Sequence, residues 1–143
     1  VLELNPRAVF ILNGTNDLNA TARTAQPTLD QIVDCYREVL LRIHARIPDA
    51  QLFVVTCTPT RDAWAHISPL VAAFNQRLIA SVRQLGPWVH TVDTFGECVG
   101  PDGLLRPELS RDGLHLNDAG YAIIQRAFRG ALLDAGLQPD RAP

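Results

Sequence analysis

Three short apolar runs predict the β-strands of this chain. Residues 8–12 and 52–55 are continuously apolar, which is typical of parallel strands that are covered on both faces. Residues 88–92 form a third run that is less apolar. A helical pattern of apolar residues comes after each run, so strands and helices alternate. This alternation predicts a parallel sheet with helices packed on its faces.

Capping residues and apolar spacing mark the predicted helices. Thr28 and Gln31 form a capping-box pattern, and the apolar stripe behind them continues until Pro48. Ser68 is interpreted as the N-cap of a second helix, with Pro69 at the first helical position. Two of the three predicted helices therefore have a start that is defined by local residue types.

The last helix is predicted to begin at Asn117 or Asp118, since either side chain can cap it. Residues 93–116 show little periodicity and are interpreted as a long loop. The predicted fold class is thus α/β, a three-layer α/β/α sandwich around a parallel sheet. No linker or repeat divides it, so residues 1–137 form one domain and residues 138–143 a disordered tail.

Composition adds few constraints. The chain has 143 residues, is 47% hydrophobic and 20% charged, and carries a net charge of −2, as expected of an ordinary globular domain. Every basic residue except histidine is arginine, and these arginines are scattered, which argues against nucleic acid as a partner. No apolar stretch is long enough to span a membrane. The compartment is left unassigned.

Polar residues end the first predicted strand abruptly, in the sequence ILNGTNDLN at positions 11–19. Gly, Asn and Asp are common turn residues, so a simple turn explains this segment adequately. The other interpretation is that Asn16 faces a ligand, because ligands of open α/β sheets bind beyond the carboxyl ends of the strands. Residues far along the chain decide between the two.

Asp112 and His115 are three residues apart, just before the last helix, in the sequence DGLHLNDAGY. A carboxylate in this position can accept the Nδ1 proton of the histidine and leave Nε2 outward as a base. Taken alone, the pair is better explained as a turn and a loop histidine than as a catalytic pair, since such short motifs recur by chance.

The two segments together resemble the SGNH (GDSL-like) hydrolase family, over nearly the whole chain. Gly14, Asn16 and Asp17 match one family block, and Asp112 and His115 match another. The resemblance implies a flavodoxin-like SGNH hydrolase fold and a serine esterase or lipase acting on carboxylic esters. It implies that Asn16 donates to the oxyanion and that Asp112 and His115 are the acid and base of a Ser-His-Asp triad.

Two family blocks are missing from this sequence. The Gly-Asp-Ser block that supplies the nucleophile is absent, and so is the block whose glycine N–H completes the oxyanion hole. The three serines, Ser68, Ser81 and Ser110, lie in other contexts. The sequence also lacks methionine and opens at Val1. We therefore expect a piece that is N-terminally truncated within the fold, with its nucleophile outside this chain and this fragment inactive alone.

Other candidate residues have weaker support. Gly14, Thr15 and Trp64 are expected to line the substrate site, although a single loop aromatic such as Trp64 commonly packs as an anchor. Asp17 is expected to bond backbone N–H groups and hold the loop that presents Asn16. No metal and no cofactor is expected, because this ester chemistry requires none.

Two alternatives to an esterase remain at this point. One is a non-catalytic SGNH-fold binding module that has lost its nucleophile, and the upstream sequence would distinguish it. The other is an unrelated, doubly wound binder of a small molecule or a nucleotide, which needs a longer Gly-rich phosphate loop than residues 14–17 provide. The expected partner is a small-molecule ester. The edge of the first strand is also expected to pair with the missing N-terminal segment, because an exposed apolar edge is otherwise an aggregation hazard.

Overall fold

The computed structural model describes residues 2–138, so residues 139–143 of the predicted tail lie outside the described part of the chain. The strands are β1 (Ala8–Ile11), β2 (Gln51–Val55) and β3 (Val89–Val92). The α-helices are α1 (Thr15–Thr24), α2 (Leu29–Arg46), α3 (Ser68–Val82), α4 (Phe95–Cys98) and α5 (Asp118–Asp134). Short 3₁₀ helices cover Leu2–Leu4, Asp62–Ile67 and Pro107–Leu109.

The strands form one parallel sheet in the order β1-β2-β3. Val9 lies opposite Leu52, and Leu52 lies opposite Val89 on the other side. All three predicted strands are therefore present within a residue or so of their expected bounds. The α/β fold class with a parallel sheet is confirmed.

Side chains of β2 alternate between two hydrophobic layers. Leu52 and Val54 face the larger core, which α2 and α3 cover. Phe53 and Val55 point the other way, toward α5. Phe128 of α5 stacks on Phe10 with ring centroids 4.1 Å apart. Helices thus cover both faces of the sheet, which explains why the β2 sequence is continuously apolar rather than alternating.

The predicted caps hold at two helices. The Thr28 hydroxyl accepts from the Gln31 N–H, and the Gln31 side chain accepts from the Thr28 N–H, completing the capping box of α2. The Asn117 side chain accepts from the N–H groups of Ala119 and Gly120 at the start of α5. Asn117 is therefore the cap and Asp118 the first helical residue.

The Ser68 cap prediction is wrong. Ser68 is already inside α3, and Ile67 occupies the N-cap position. The Ser68 hydroxyl instead accepts from the Thr60 N–H and donates to the Gly103 carbonyl, 3.2 Å away. A buried serine that joins two loops has the same sequence appearance as a capping serine, because both precede a proline at a helix start.

Two further segments differ from the sequence prediction. Residues 15–24 form helix α1, which the periodicity did not reveal because Leu18 is its one buried residue. Residues 93–116 are more ordered than a plain loop, since they contain α4 and the Pro107–Leu109 turn. None of the helices within residues 2–138 is long and apolar enough to cross a membrane.

The three cysteines differ sharply in access to solvent. Cys35 is exposed, whereas Cys57 and Cys98 are buried, and burial raises the pKa of both thiols to about 11. Because the thiolate is the reactive form, we expect iodoacetamide at pH 8 to modify Cys35 in the folded chain and all three thiols in denaturant. Peptide mass spectrometry checks this. Rapid labelling of Cys57 under native conditions would contradict the packing at the end of β2.

Candidate active site

Asp112 binds the His115 side chain and the backbone that carries it. Its Oδ2 lies 2.7 Å from His115 Nδ1. Its Oδ1 accepts from the backbone N–H groups of Leu114 and His115, at 3.0 and 2.8 Å. One carboxylate therefore fixes both the loop and the orientation of the imidazole. With Nδ1 donating to Asp112, Nε2 is the ring atom left to accept a proton.

Both residues of the pair are open to solvent. The side chain of His115 is 78% exposed and that of Asp112 is 52% exposed. The hydrogen bond from His115, followed by those from the backbone N–H groups of His115 and Leu114, holds the pKa of Asp112 well below its usual range. Asp112 is thus an ionised acceptor across ordinary pH.

Ser110 is part of the same loop, and its hydroxyl lies 3.2 Å from Asp112 Oδ1. Its hydroxyl accepts from the Gly113 N–H at 3.0 Å and lies 2.7 Å from the His115 carbonyl, to which it donates. These bonds close the turn that carries Asp112. The Ser110 hydroxyl is therefore bonded to the loop backbone rather than to the His115 ring.

Gly113 docks the dyad loop on the segment after β2. The Gly113 carbonyl accepts from the Arg61 N–H at 2.8 Å. Gly113 has φ +79°, and a Cβ there would lie 2.4 Å from the Arg61 carbonyl oxygen. Both the backbone conformation and the close approach require glycine. The Arg61 side chain in turn binds Asp102 and the Leu105 carbonyl, so this segment anchors two loops.

The end of β1 turns sharply into α1. Gly14 has φ +114°, and a Cβ there would lie 3.3 Å from the Phe74 ring and 3.6 Å from the Cys57 sulfur. Asn16 is the second residue of α1 and is exposed. Among residues 2–138, no group hydrogen-bonds its side-chain amide. Asn16 is therefore free to donate to a ligand.

The structure places Asn16 and the dyad on segments that both adjoin residues 61–67. On one side His66 lies 3.2 Å from the Asn19 side chain in α1. On the other side Arg61 holds Gly113. Asn16 does not line the groove directly beside the dyad. That groove is formed by residues 111, 112 and 115–118. A common cleft for Asn16 and His115 stays a prediction.

The three residues expected to line the substrate site have different surroundings. Gly14 is buried, and its N–H donates to Asn13 Oδ1, so it offers little surface to a substrate. Thr15 is partly exposed beside Cys57. Trp64 is half-buried and packs against the larger core, as expected of an anchor rather than of a residue that lines a substrate site. Asp17 lies in the first turn of α1 instead of a loop.

The remaining serines have structural partners as well. The Ser68 hydroxyl joins Thr60 to Gly103, and the Ser81 hydroxyl accepts from Arg37. Within the described residues, no serine hydroxyl is hydrogen-bonded to the His115 ring. Cys57 is also unsuited to attack, because its buried thiol has a raised pKa.

Comparison with known proteins identifies the group to which this chain belongs. A family profile described as GDSL-like lipase/acylhydrolase matches residues 1–123, and this stretch holds all the residues of the predicted site. The chain belongs to the GDSL-like lipase/acylhydrolase family. The resemblance noted in the sequence is thereby confirmed. Its relatives are esterases and acylhydrolases.

Curated relatives of this GDSL-like chain include subunits of platelet-activating factor acetylhydrolase IB. Subunit alpha1 of Pongo abelii is 29% identical over 133 residues, which cover 91% of this chain and 53% of that protein. Subunit alpha2 of Homo sapiens is 29% identical over 121 residues, covering 85% of this chain and 49% of that protein. The chain spans about half the length of the curated relatives it matches.

Solved structures agree on the GDSL-like fold. A GDSL-like lipase from Bacteroides thetaiotaomicron superposes with a TM-score of 0.79 at 20% identity, covering 94% of this chain and 66% of that one. A carbohydrate esterase of family 3 from Talaromyces cellulolyticus gives 0.71 at 24% identity, covering 94% and 60%. At these identities the likeness shows the fold alone.

Sequence reasoning missed two long-range contacts of the segments that carry the candidate site residues. Arg61, which holds the dyad loop, had no signal, since its contact with Gly113 spans 52 positions (113 − 61). The pairing of Tyr36 with the backbone of Asn13 was equally invisible, because Tyr36 fits the apolar stripe of α2. The glycines were the available clue, as a Gly in a functional loop often marks close backbone approach.

Proposed function

We propose that this chain supplies the acid–base pair and one oxyanion donor of a serine carboxylic ester hydrolase. The observation that carries the proposal is the 2.7 Å hydrogen bond between Asp112 Oδ2 and His115 Nδ1, which leaves Nε2 in solvent. In this mechanism a serine attacks the ester carbonyl while Nε2 takes its proton. His115 then returns the proton to the leaving alcohol, and Asp112 stabilises the imidazolium between the two transfers.

The nucleophilic serine is proposed to come from outside these 143 residues. This is supported by the internal hydrogen bonds of Ser68, Ser81 and Ser110 and by the partial coverage of the relatives. The alternative is a non-catalytic module with the same fold. Such a module would have no need of an exposed histidine whose Nδ1 is hydrogen-bonded to a carboxylate. A full-length protein without hydrolytic activity would favour that alternative.

Asn16 is proposed to donate its side-chain amide to the tetrahedral oxyanion. In the full-length protein we expect Asn16→Ala to lower kcat for p-nitrophenyl acetate by about 10²–10³, the usual effect of removing one such donor. The KM should change little, because the carbonyl oxygen gains charge only in the transition state. Steady-state kinetics check the expected result.

A matched control uses another exposed amide near α1. Gln26 follows the far end of that helix, and the structure assigns its side chain no part in the site. We expect Gln26→Ala to keep kcat within about twofold of the parent value, in line with ordinary surface substitutions. An Asn16→Ala variant as active as Gln26→Ala would remove Asn16 from the oxyanion role.

The free edge of β1 is proposed to pair with a strand from the segment that precedes residue 1 in the parent protein. Within residues 2–138, β1 pairs with β2 alone. Leu12 and Val39 are each 47% exposed, and Val39 lines a groove together with Ile11 and Tyr36. An added parallel strand would satisfy the backbone of β1 and cover these side chains.

A further inference from the structure

The end of β1 is held by a tyrosine from another element. Tyr36, in the middle of α2, is buried apart from 6% of its surface. Its hydroxyl accepts from the Asn13 N–H at 2.8 Å and donates to the Asn13 carbonyl, also at 2.8 Å. One phenol thus satisfies both backbone groups of a residue that has left the β-sheet and has not yet entered α1. Such a pairing restricts both dihedral angles of Asn13 together.

A second hydrogen bond reaches the same carbonyl from the segment that follows β2. The Cys57 thiol donates to the Asn13 carbonyl at 3.0 Å. The buried Asn75 side chain of α3 holds Cys57 in turn, accepting from its N–H at 3.0 Å and donating to its carbonyl at 2.8 Å. Burial raises the pKa of both Tyr36 and Cys57, so both groups keep their protons and remain donors at ordinary pH.

The clamped residue is three positions before Asn16. Asn13 Oδ1 accepts from the Gly14 N–H, and the Gly14 carbonyl accepts from the Leu18 N–H to open α1. Leu18 is fully buried, so the first turn of α1 is fixed on its inner side. The exposed Asn16 amide has no hydrogen-bond partner of its own among residues 2–138. Its place is therefore set by the backbone of the turn before it.

We propose that Tyr36, Cys57 and Asn75 are positioning residues for Asn16, acting through the backbone of Asn13 to fix where the first turn of α1 presents its amide. The inference rests on the proposed oxyanion role of Asn16. Oxyanion donors act only at about 2.7–3.1 Å from the developing charge, and misplacement by about 1 Å can cost on the order of 10²-fold in rate. The turn at the carboxyl end of β1 depends on these hydrogen bonds for its position, because α1 buries only Leu18.

Tyr36→Phe in the full-length protein tests the proposal, since it keeps the ring and removes both hydrogen bonds to Asn13. We expect kcat for p-nitrophenyl acetate to fall about tenfold while KM stays within about twofold. A displaced amide weakens only the transition state, because the carbonyl oxygen is uncharged in the bound substrate. In an Asn16→Ala background the same substitution should change kcat less than about twofold. This loss of effect is the coupling that a merely structural role would not produce.

Tyr121→Phe is the matched control, since Tyr121 is 62% exposed on α5 and should leave kcat unchanged in both backgrounds. Should Tyr36→Phe fail to fold in a thermal unfolding scan, Cys57→Ala removes one bond to the same carbonyl and is expected to lower kcat severalfold with the same dependence on Asn16. An undiminished kcat, or an equal fall with and without Asn16, would overturn the proposal. An Asn16→Ala protein with normal kcat would overturn the oxyanion role instead.

Discussion

Replacing His115 by alanine in the full-length protein is expected to lower kcat for p-nitrophenyl acetate by about 10⁴-fold or more. Nε2 of His115 is the one atom of the dyad placed to accept a proton, since Nδ1 is bonded to Asp112. Without it the serine attacks as a neutral alcohol and the leaving group departs unprotonated. Loss of a triad member typically costs about 10⁴–10⁶ in kcat, which is about 5–8 kcal/mol of transition-state stabilisation. Steady-state and single-turnover kinetics measure the effect.

The fold should survive this substitution. His115 is largely exposed, and its backbone N–H bond to Asp112 does not need the imidazole. His90→Gln is the matched control: His90 lies in β3, one residue from its amino end, where it bonds Gln51 and stacks on Phe53. Its loss should leave kcat unchanged. A His115→Ala protein that keeps even a tenth of its activity would mean that another group acts as the base.

Much of the fold was predictable because the main elements carry their own signals. The apolar run at 52–55 and the capping box at Thr28 are local features, and both appear in the structure as expected. Helix α1 was missed for a physical reason. Apart from Leu18 its ten residues bury little, so the sequence has no apolar stripe, and the turn at Gly14 rather than a side-chain cap starts it.

The site was predictable to a smaller extent. Spacing alone placed Asp112 within reach of His115, because residues three apart in a tight turn meet. The contacts that orient this turn could not be derived, since Gly113 and Arg61 meet only when the sheet brings two distant loops to one edge. Ser68 illustrates the opposite error. Its local sequence fits a helix cap, but its hydroxyl joins two loops instead.

The isolated 143-residue chain is expected to show no esterase activity above that of free imidazole and no labelling by a fluorophosphonate. A fluorophosphonate reacts with an activated serine, and activation requires a hydroxyl that shares its proton with His115 Nε2. Ser110, the serine nearest the dyad in sequence, has its hydroxyl bonded to the Gly113 N–H and the His115 carbonyl. Gel fluorescence and p-nitrophenyl acetate hydrolysis measure the two activities.

Adding the preceding segment of the parent protein as a separate peptide makes the same experiment a test of the β1 edge. Pairing along β1 would cover Leu12. It would also bring a serine from the added strand to the carboxyl end of the sheet, where we propose that Asn16 and the dyad act on the ester. Both activities should then return together. Leu12→Lys should weaken the binding of the added segment without changing kcat of the assembled complex. Stoichiometric labelling of the isolated chain would instead show that it holds its own nucleophile, and a labelled peptide containing Ser110 would identify it. Such a result would require the dyad loop to open, because the hydroxyl of Ser110 now closes the turn that holds Asp112 in place.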